Sequence, residues 1–265
     1  FEEEFATGMY QADTLYGPFI TENGISKRTY CIMILDDKSR MITGGKFFYE
    51  DNSVNFLQVF KESVASYGIP RKLYVDNGAS YKNSQLPLIC GQLGTVLIHT
   101  PVRDGASKGK VERNFRTLRT RFLDTLDPNT ISSIGELNRL LTEYIRNHNT
   151  SEHSGTGMVP HTRYLEDIFQ VKMPKSREWL NDCFLYRVKR KVRNDSTILL
   201  EKQLYDVPME YIRCSVEVRY MPGDTDSAFI YEPDRRIPIR LTNKVENSKT
   251  KRNNTYSLNY GGSNI

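Results

Sequence analysis

The feature that most constrains this chain is the run at residues 28–35, Arg-Thr-Tyr-Cys-Ile-Met-Ile-Leu, an apolar, β-branched stretch of strand length. Asp36-Asp37-Lys38-Ser39-Arg40 follows as a tight turn. Residues 41–49, Met-Ile-Thr-Gly-Gly-Lys-Phe-Phe-Tyr, read as the next strand. Residues 28–49 therefore form an antiparallel hairpin, and residues 8–20 supply a further strand beside it.

The pattern then changes period. Asn52-Ser53 caps a helix that carries Val54, Leu57, Val59, Phe60, Val64 and Tyr67 at helical spacing and stops at Gly68 and Pro70. A short strand at 71–75 ends on Asp76-Asn77-Gly78, a helix follows around 84–93, and a strand at 95–99. Antiparallel strands followed by helix–strand–helix–strand predict a mixed α/β sheet. From about Ser107 the chain turns helical, with Val111, Phe115, Leu118 and Phe122 on one face and Lys108, Glu112, Arg116 and Arg119 on the neighbouring one. A helix over about 133–148 gathers Leu137, Leu140, Leu141, Tyr144 and Ile145, and Pro160 opens a short helix through Phe169.

Past Pro174 the character changes. Short β-rich runs at 183–193 and 197–241 are broken by Asn194-Asp195, Pro208, Pro222-Gly223-Asp224 and Pro233-Asp234, which predicts a small all-β domain, a barrel of five or six strands. A length of 265 residues suits such an unequal pair of domains. The expected boundaries are 1–172 for the α/β part, 173–245 for the β part and 246–265 for a polar tail.

Charge follows the same division. Residues 1–170 hold 19 Lys+Arg against 20 Asp+Glu, whereas residues 171–265 hold 18 against 12, so the net +5 belongs to the C-terminal part. The first part has one basic concentration, seven cationic residues between Arg103 and Arg121 against Asp104 and Glu112. Two such patches point to a polyanionic partner more strongly than the total does. No apolar run approaches the roughly 18 residues of a spanning helix, which excludes a helical membrane protein. The four cysteines lie at least 31 residues apart, too far for a metal-binding or redox motif, and read as free thiols in a reducing cytosol. The start, Phe1-Glu2-Glu3-Glu4-Phe5, is acidic and has no Met, so it reads as the interior of a longer chain rather than a signal peptide.

Three carboxylates stand where chemistry collects. Asp13 lies in the first strand, Asp76 ends a parallel strand, and Glu112 sits on the basic helix face. The C-terminal end of a parallel strand is where ligands bind in α/β sheets. Converging Asp and Glu oxygens suit Mg²⁺ or Mn²⁺, and flanking Lys and Arg would hold a polyanion against two such ions, an arrangement fitted to phosphodiester chemistry. Each residue also has a bland reading. Asp-Asn-Gly after a strand is ordinarily a turn, and a Glu among Arg residues on a helix is ordinarily an ion-pair partner. Asp36 and Asp37 fit a hairpin turn better than a catalytic pair.

Spacing joins these pieces. Thirty-five residues separate Asp76 from Glu112, and Asp-Asn-Gly followed by Lys108-Gly109-Lys110-Val111-Glu112-Arg113 resembles the D,D-35-E signature of the DDE transposase and retroviral integrase superfamily. Gln11-Ala12-Asp13-Thr14 matches its first-aspartate motif, Asp36-Asp37-Lys38-Ser39-Arg40 its hairpin turn and Gly68-Ile69-Pro70-Arg71 the lead into its second-aspartate strand. Asn147-His148-Asn149 with His153-Ser154 and Pro160 resembles its post-catalytic segment, and the β domain is similar to the C-terminal domain of transposases related to that of phage Mu. The likeness runs to about residue 243. Tyr10, Ala12 and the loop Arg103-Asp104-Gly105-Ala106-Ser107 depart from common family patterns.

The resemblance implies a ribonuclease H-like fold followed by the small β barrel, and a bacterial, cytoplasmic, nucleoid-associated enzyme acting on double-stranded DNA as a homo-oligomer. It implies 3′-end hydrolysis and strand transfer, with Asp13, Asp76 and Glu112 as catalytic metal ligands for Mg²⁺ or Mn²⁺, two ions when DNA is bound. Lys108, Lys110, Arg113, Arg116 and Arg119 are expected to contact phosphates near the site. In Arg187-Val188-Lys189-Arg190-Lys191-Val192-Arg193, alternation places Arg187, Lys189, Lys191 and Arg193 on one face, either tracking DNA or guarding a sheet edge. The family's N-terminal DNA-binding domains are not in this sequence. Two other readings share the features: a nuclease of the same fold without strand transfer, and a non-catalytic DNA-binding descendant. A small-molecule phosphotransferase would need a Gly-rich phosphate loop, which the sequence lacks.

Overall fold

The computed structural model describes residues 2–100, 115–117, 119–127 and 130–243, and the chain divides into two compact units, Phe1–Phe184 and Leu185–Ile265. The first is built on strands β1 (Met9–Glu22), β2 (Ile25–Asp36), β3 (Ile42–Phe48), β4 (Lys72–Val75) and β5 (Val96–His99). They form one sheet in the order β3-β2-β1-β4-β5. The β1–β2 and β2–β3 pairs are antiparallel, while β4 runs parallel to both β1 and β5. The mixed sheet expected from the order of elements is the one observed.

The run at 31–35 is apolar without alternation because β2 is covered on both faces. Cys31, Met33 and Leu35 enter one core with Leu137 and Leu141, and Ile32 and Ile34 are fully buried on the other face. Helix α1 (Ser53–Tyr67) buries Phe56, Leu57, Val59, Phe60 and Val64, and the Asn52 side chain accepts from Asn55 N–H at its start. Helix α2 is Gln85–Leu93, α3 is Ile134–Thr150 and α4 is Pro160–Glu166. Helix α3 starts on the Ser133 hydroxyl, which accepts from Glu136 N–H.

Two elements differ from the sequence reading. The first hairpin is longer: β1 continues through Pro18 to Glu22 and turns on Asn23-Gly24, with φ of 52° and 76°, the paired left-handed geometry of a two-residue hairpin turn. Pro18 is tolerated because the pairing shifts register between Tyr16 and Phe19. A further helix, α5 (Arg177–Cys183), begins on the Ser176 hydroxyl and buries Leu180 and Cys183. The Phe184 ring after it lies 5.6 Å from Phe60, so the segment 177–184 packs with the first unit.

The Asp36–Arg40 turn is a buried structural device. Asp36 accepts from Thr7 N–H, Ser39 N–H and the Ser39 hydroxyl, and Asp37 accepts from Glu3 N–H and the Gln11 amide. Both are fully buried, and desolvation pushes Asp36 up to about 6.

Edge strand β3 is closed by α3. The Asn138 side chain accepts from Phe47 N–H at 2.7 Å and donates to Phe47 C=O at 3.1 Å. Asn149 does the same for Ile42, at 2.9 Å each way. Ile42 and Phe47 are five residues apart, so a regular strand would aim their polar groups to opposite sides. A register shift opposite Ile34 and Leu35 brings both to the outer edge.

The second unit is all β: β6 (Tyr186–Lys191), β7 (Thr197–Leu200), β8 (Gln203–Asp206), β9 (Ser215–Met221), β10 (Asp224–Glu232), β11 (Arg235–Pro238) and β12 (Arg240–Leu241). The described residues form two antiparallel sheets, β11-β10-β9-β6 and β12-β8-β7, rather than a single closed barrel. One core joins them, including Ile198, Leu200 and Tyr205 from one sheet and Val216, Val218 and Ile230 from the other. Two sheets arise because seven short strands broken at prolines and tight turns pair in two ladders around a shared interior. All four cysteines are free thiols. No helix among the described residues is long and apolar enough to cross a membrane.

Candidate active site

Parallel pairing of β1 with β4 brings the first two carboxylates together. The register aligns Gln11 with Tyr74, so Asp13 and Asp76, each two residues further on, stand at the same level of adjacent strands. The period of two then puts them on one face. That face carries Met9, Leu15 and Tyr74, and Phe115 and Phe122 pack into the same core. Asp13 is half-buried and Asp76 is exposed, just past the end of β4.

Local backbone bonds fix each carboxylate. Thr14 N–H donates to Asp13 Oδ1 at 2.8 Å, and Gly78 N–H donates to Asp76 Oδ1 at 2.7 Å. A Cβ at position 78 would come within 2.9 Å of that oxygen, so any larger residue there would have to shift the Asp76 carboxylate. The Asn77 amide donates to Thr100 C=O at 2.7 Å, and His99 Nδ1 lies 3.1 Å from Asp76 C=O, tying the loop to the end of β5.

Three residues that the sequence did not single out, Tyr81, Asp51 and Ser80, complete the surroundings. Tyr81 is 2% exposed, packs edge-on against Phe56 at 4.8 Å, and shares a 2.8 Å hydrogen bond with the Thr14 hydroxyl. Asp51 accepts from the Ser80 hydroxyl at 2.6 Å and from Thr14 at 3.3 Å. Burial first, and then the charges of Asp13, Asp76 and Asp51, push the Tyr81 phenol well above its ordinary value, against the lowering effect of the Thr14 bond. The phenol therefore stays a neutral donor beside three carboxylates. Its position five residues after Asp76 is the one trace of it in the sequence; Asp51 leaves none.

Glu112, Lys108, Lys110 and Arg113 lie outside the described residues. Residues 115–117 and 119–121 are helical, with Phe115 buried and Arg116 and Arg119 exposed, as the amphipathic spacing expects. Among the described residues no group of three or more His, Cys, Asp or Glu side chains is arranged to hold a metal ion. Asp13 and Asp76 alone offer hard oxygen donors on one face, a donor type suited to Mg²⁺ or Mn²⁺.

In the second unit, Arg187, Lys189 and Lys191 alternate along β6 with Val188 and Arg190. They face Arg219, Glu217 and Ser215 of β9. Arg219 stacks over Tyr231 at 3.2 Å and bonds Glu217 at 2.7 Å. Arg193 is exposed just beyond the strand, where its N–H donates to Thr197 C=O. The face is basic, with one carboxylate among these residues.

Two families match parts of the chain: the TnsB C-terminal domain over residues 54–128 and the Mu transposase C-terminal domain over residues 181–239. The transposase of transposon Tn552 from Staphylococcus aureus is 26% identical over 248 residues, covering 85% of this chain and 52% of that protein. The transposase of insertion sequence IS1202 from Streptococcus pneumoniae is 29% identical over 130 residues, covering 44% of this chain and 28% of that protein. The chain thus spans about half or less of the curated relatives it matches. Among solved structures, a chain of the simian T-cell lymphotropic virus intasome in complex with PP2A regulatory subunit B56 gamma has a TM-score of 0.52 at 12% identity, covering 92% of this chain and 81% of that one. The catalytic core domain of BIV integrase has a TM-score of 0.49 at 17% identity, covering 62% and 97%.

Proposed function

We propose, for a chain that resembles the DDE transposase and retroviral integrase superfamily across both of its units, that it is the catalytic and β-domain part of a DNA transposase, a polynucleotidyl transferase that hydrolyses the 3′ end of a mobile element and joins it to target DNA. The observation that carries this reading is the β1–β4 register, which stations Asp13 and Asp76 side by side at the end of a parallel strand. With Glu112 they would hold Mg²⁺ or Mn²⁺, two ions when DNA is bound. Such ions supply a Lewis acid that activates the attacking oxygen and stabilises the leaving one.

The chain's own residues do the positioning. Thr14 N–H and Gly78 N–H each hold one oxygen of an aspartate and so fix the carboxylates' orientation. Asp51, Thr14 and Tyr81 brace the two strand ends against each other. Lys108, Lys110, Arg113, Arg116 and Arg119 would hold the strand's phosphates beside the carboxylates. The β domain, which begins at Leu185 rather than at 173, would track the duplex through Arg187, Lys189, Lys191 and Arg193. The partner is double-stranded DNA, bound by a homo-oligomer at the bacterial nucleoid.

Strand transfer with the native element ends in Mg²⁺ tests the assignment. Asp13→Asn, Asp76→Asn and Glu112→Gln should each reduce joined product to background while leaving DNA binding in a gel-shift assay intact. Wild-type joining by any of the three would remove that residue from the site. Cleaved but unjoined ends from the parent would instead favour a nuclease. A second measurement addresses the β domain. Each phosphate neutralised on duplex DNA contributes about 0.9 to the slope of log K against log salt. Replacing Arg187, Lys189, Lys191 and Arg193 with Gln should flatten that slope by about 3 to 4, and an unchanged slope would leave the four as edge guards.

A further inference from the structure

A second concave site lies in the first unit, built by the far end of the basic helix, the end of α3 and the loop after it. The cavity encloses about 340 Å³, within the range of small-ligand clefts. Thr117 and Arg121, one helical turn apart, form one wall; His148 and Ser151 from the end of α3, with His153 and Ser154 from the following loop, form the other. Glu152 and Gly155 complete the rim.

The polar groups are ordered. The loop closes on itself through His153, whose N–H donates to Met158 C=O and whose C=O accepts from Thr156 and Gly157 N–H. Gly155 N–H donates to His153 Nδ1 at 3.2 Å, which leaves the ring proton on Nε2. His148 Nε2 lies 2.9 Å from Arg40 C=O, so its proton sits there. The two rings meet edge to face at 5.8 Å, and the His148 ring continues the stack of Tyr144 at 6.2 Å. Arg121 thus faces the His153 imidazole, with its proton on Nε2, and the hydroxyls of Ser151 and Ser154 across the cavity, while the His148 N–H is spent on Arg40 C=O and that ring serves as a wall. An Arg fork with neutral N–H and O–H donors is the usual recognition set for a phosphate.

We propose that this cavity is a phosphate-binding subsite that takes one phosphodiester of the DNA backbone. That the phosphate is DNA's rests on the function proposed above; that the cavity takes an oxyanion does not. The electrostatic surroundings support it. Burial first, and then the positive charges of Arg40, Arg121 and Arg163, hold His153 below its ordinary value alongside its neighbour His148. His148 is lowered by burial and by Arg121, against the raising effect of its bond to Arg40. Arg40 and Arg163 are each paired with Glu2, and Glu152 lines the rim. Arg121 therefore contributes the charge that a dianion or phosphodiester would meet inside.

Inorganic phosphate titrated into the full chain at constant ionic strength, with the His148 and His153 ring signals followed by NMR, is the direct test. Saturable shifts of both rings that vanish in Arg121→Ala and survive in part in Arg121→Lys are expected. Arg121 is exposed, so neither variant should disturb folding, which the remaining ring signals would verify. A parent without saturable shifts overturns the subsite. In parallel, Arg121→Ala should lower the salt slope of DNA binding by about 1. Phosphate shifts with an unchanged slope would overturn DNA as the phosphate's source. Phosphate shifts in a parent that binds no DNA would uphold the oxyanion cavity and overturn the proposed function instead.

Discussion

Asp36 shows how one side chain can be structural in a neighbourhood that reads as catalytic. It is fully buried, accepts three hydrogen bonds and still prefers its proton, because burial outweighs the donors around it. Its folded value of about 6 lies above the ordinary 3.8. The stability it contributes is therefore fully present below about pH 4 and is lost as pH rises through 6. Asp36→Asn removes that titration. The stability difference between variant and parent, from denaturant melts at pH 3.5 to 7.5, should shift in the variant's favour by on the order of 2 to 3 kcal/mol across this window. A difference that stays flat would mean the carboxylate titrates alike in both states. At this scale the sequence was partly legible. Asp76 stood out because a strand end is a recognisable place, and Asp13, inside the first strand, only through the Gln11-Ala12-Asp13-Thr14 motif. Asp51 and Tyr81 did not, because their value depends on segments 14, 51 and 80–81 meeting in space, which no local pattern encodes.

Among the elements, α3 carries a duty that its amphipathic pattern does not announce. Leu137 and Leu141 bury its apolar face, as their spacing predicts. Asn138 and Asn149, three helical turns apart, act as a substitute strand for β3. Asn149→Leu would leave Ile42 N–H and C=O buried without partners, a cost of about 2 to 6 kcal/mol at roughly 1 to 3 per orphaned group. Asn149→Asp, which keeps the acceptor but sets a buried, ionisable oxygen against Ile42 C=O in place of the donor, should cost at least as much. Thermal melts of the two variants rank them, and melting points equal to the parent's would show that water replaces the amide. The elements missed in the sequence failed for identifiable reasons. The first strand, expected over 8–20, runs two residues further, to a two-residue turn at Asn23-Gly24, with a bulge accommodating Pro18. Helix α5 has seven residues, too few to display a period. The long strands and helices, by contrast, were legible because their apolar residues repeat over several turns or pleats.

Across the whole molecule, the face that carries Asp13 and Asp76 is a product of topology rather than of proximity along the chain. Asp13 and Asp76 are 63 positions apart and become neighbours through the β1–β4 pairing, which extends over Met9, Tyr10 and Gln11 alone. The meander β1–β2–β3, by contrast, closes through turns of a few residues. Local antiparallel contacts assemble faster than distant parallel ones, since loop-closure entropy must be met before the pairing repays it. As the chain leaves the ribosome, then, the meander can form while β4 is still unsynthesised, and the two aspartates are kept apart until the sheet is otherwise half built. Pulse-labelled hydrogen exchange during refolding should find β2 and β3 amides protected before those of Leu73 and Val75, and simultaneous protection would put the nucleus at the parallel pairing instead. If the two aspartates hold cations as proposed, a nascent chain of this design would gain that capacity late, after its scaffold, and would pass through synthesis with the site unassembled.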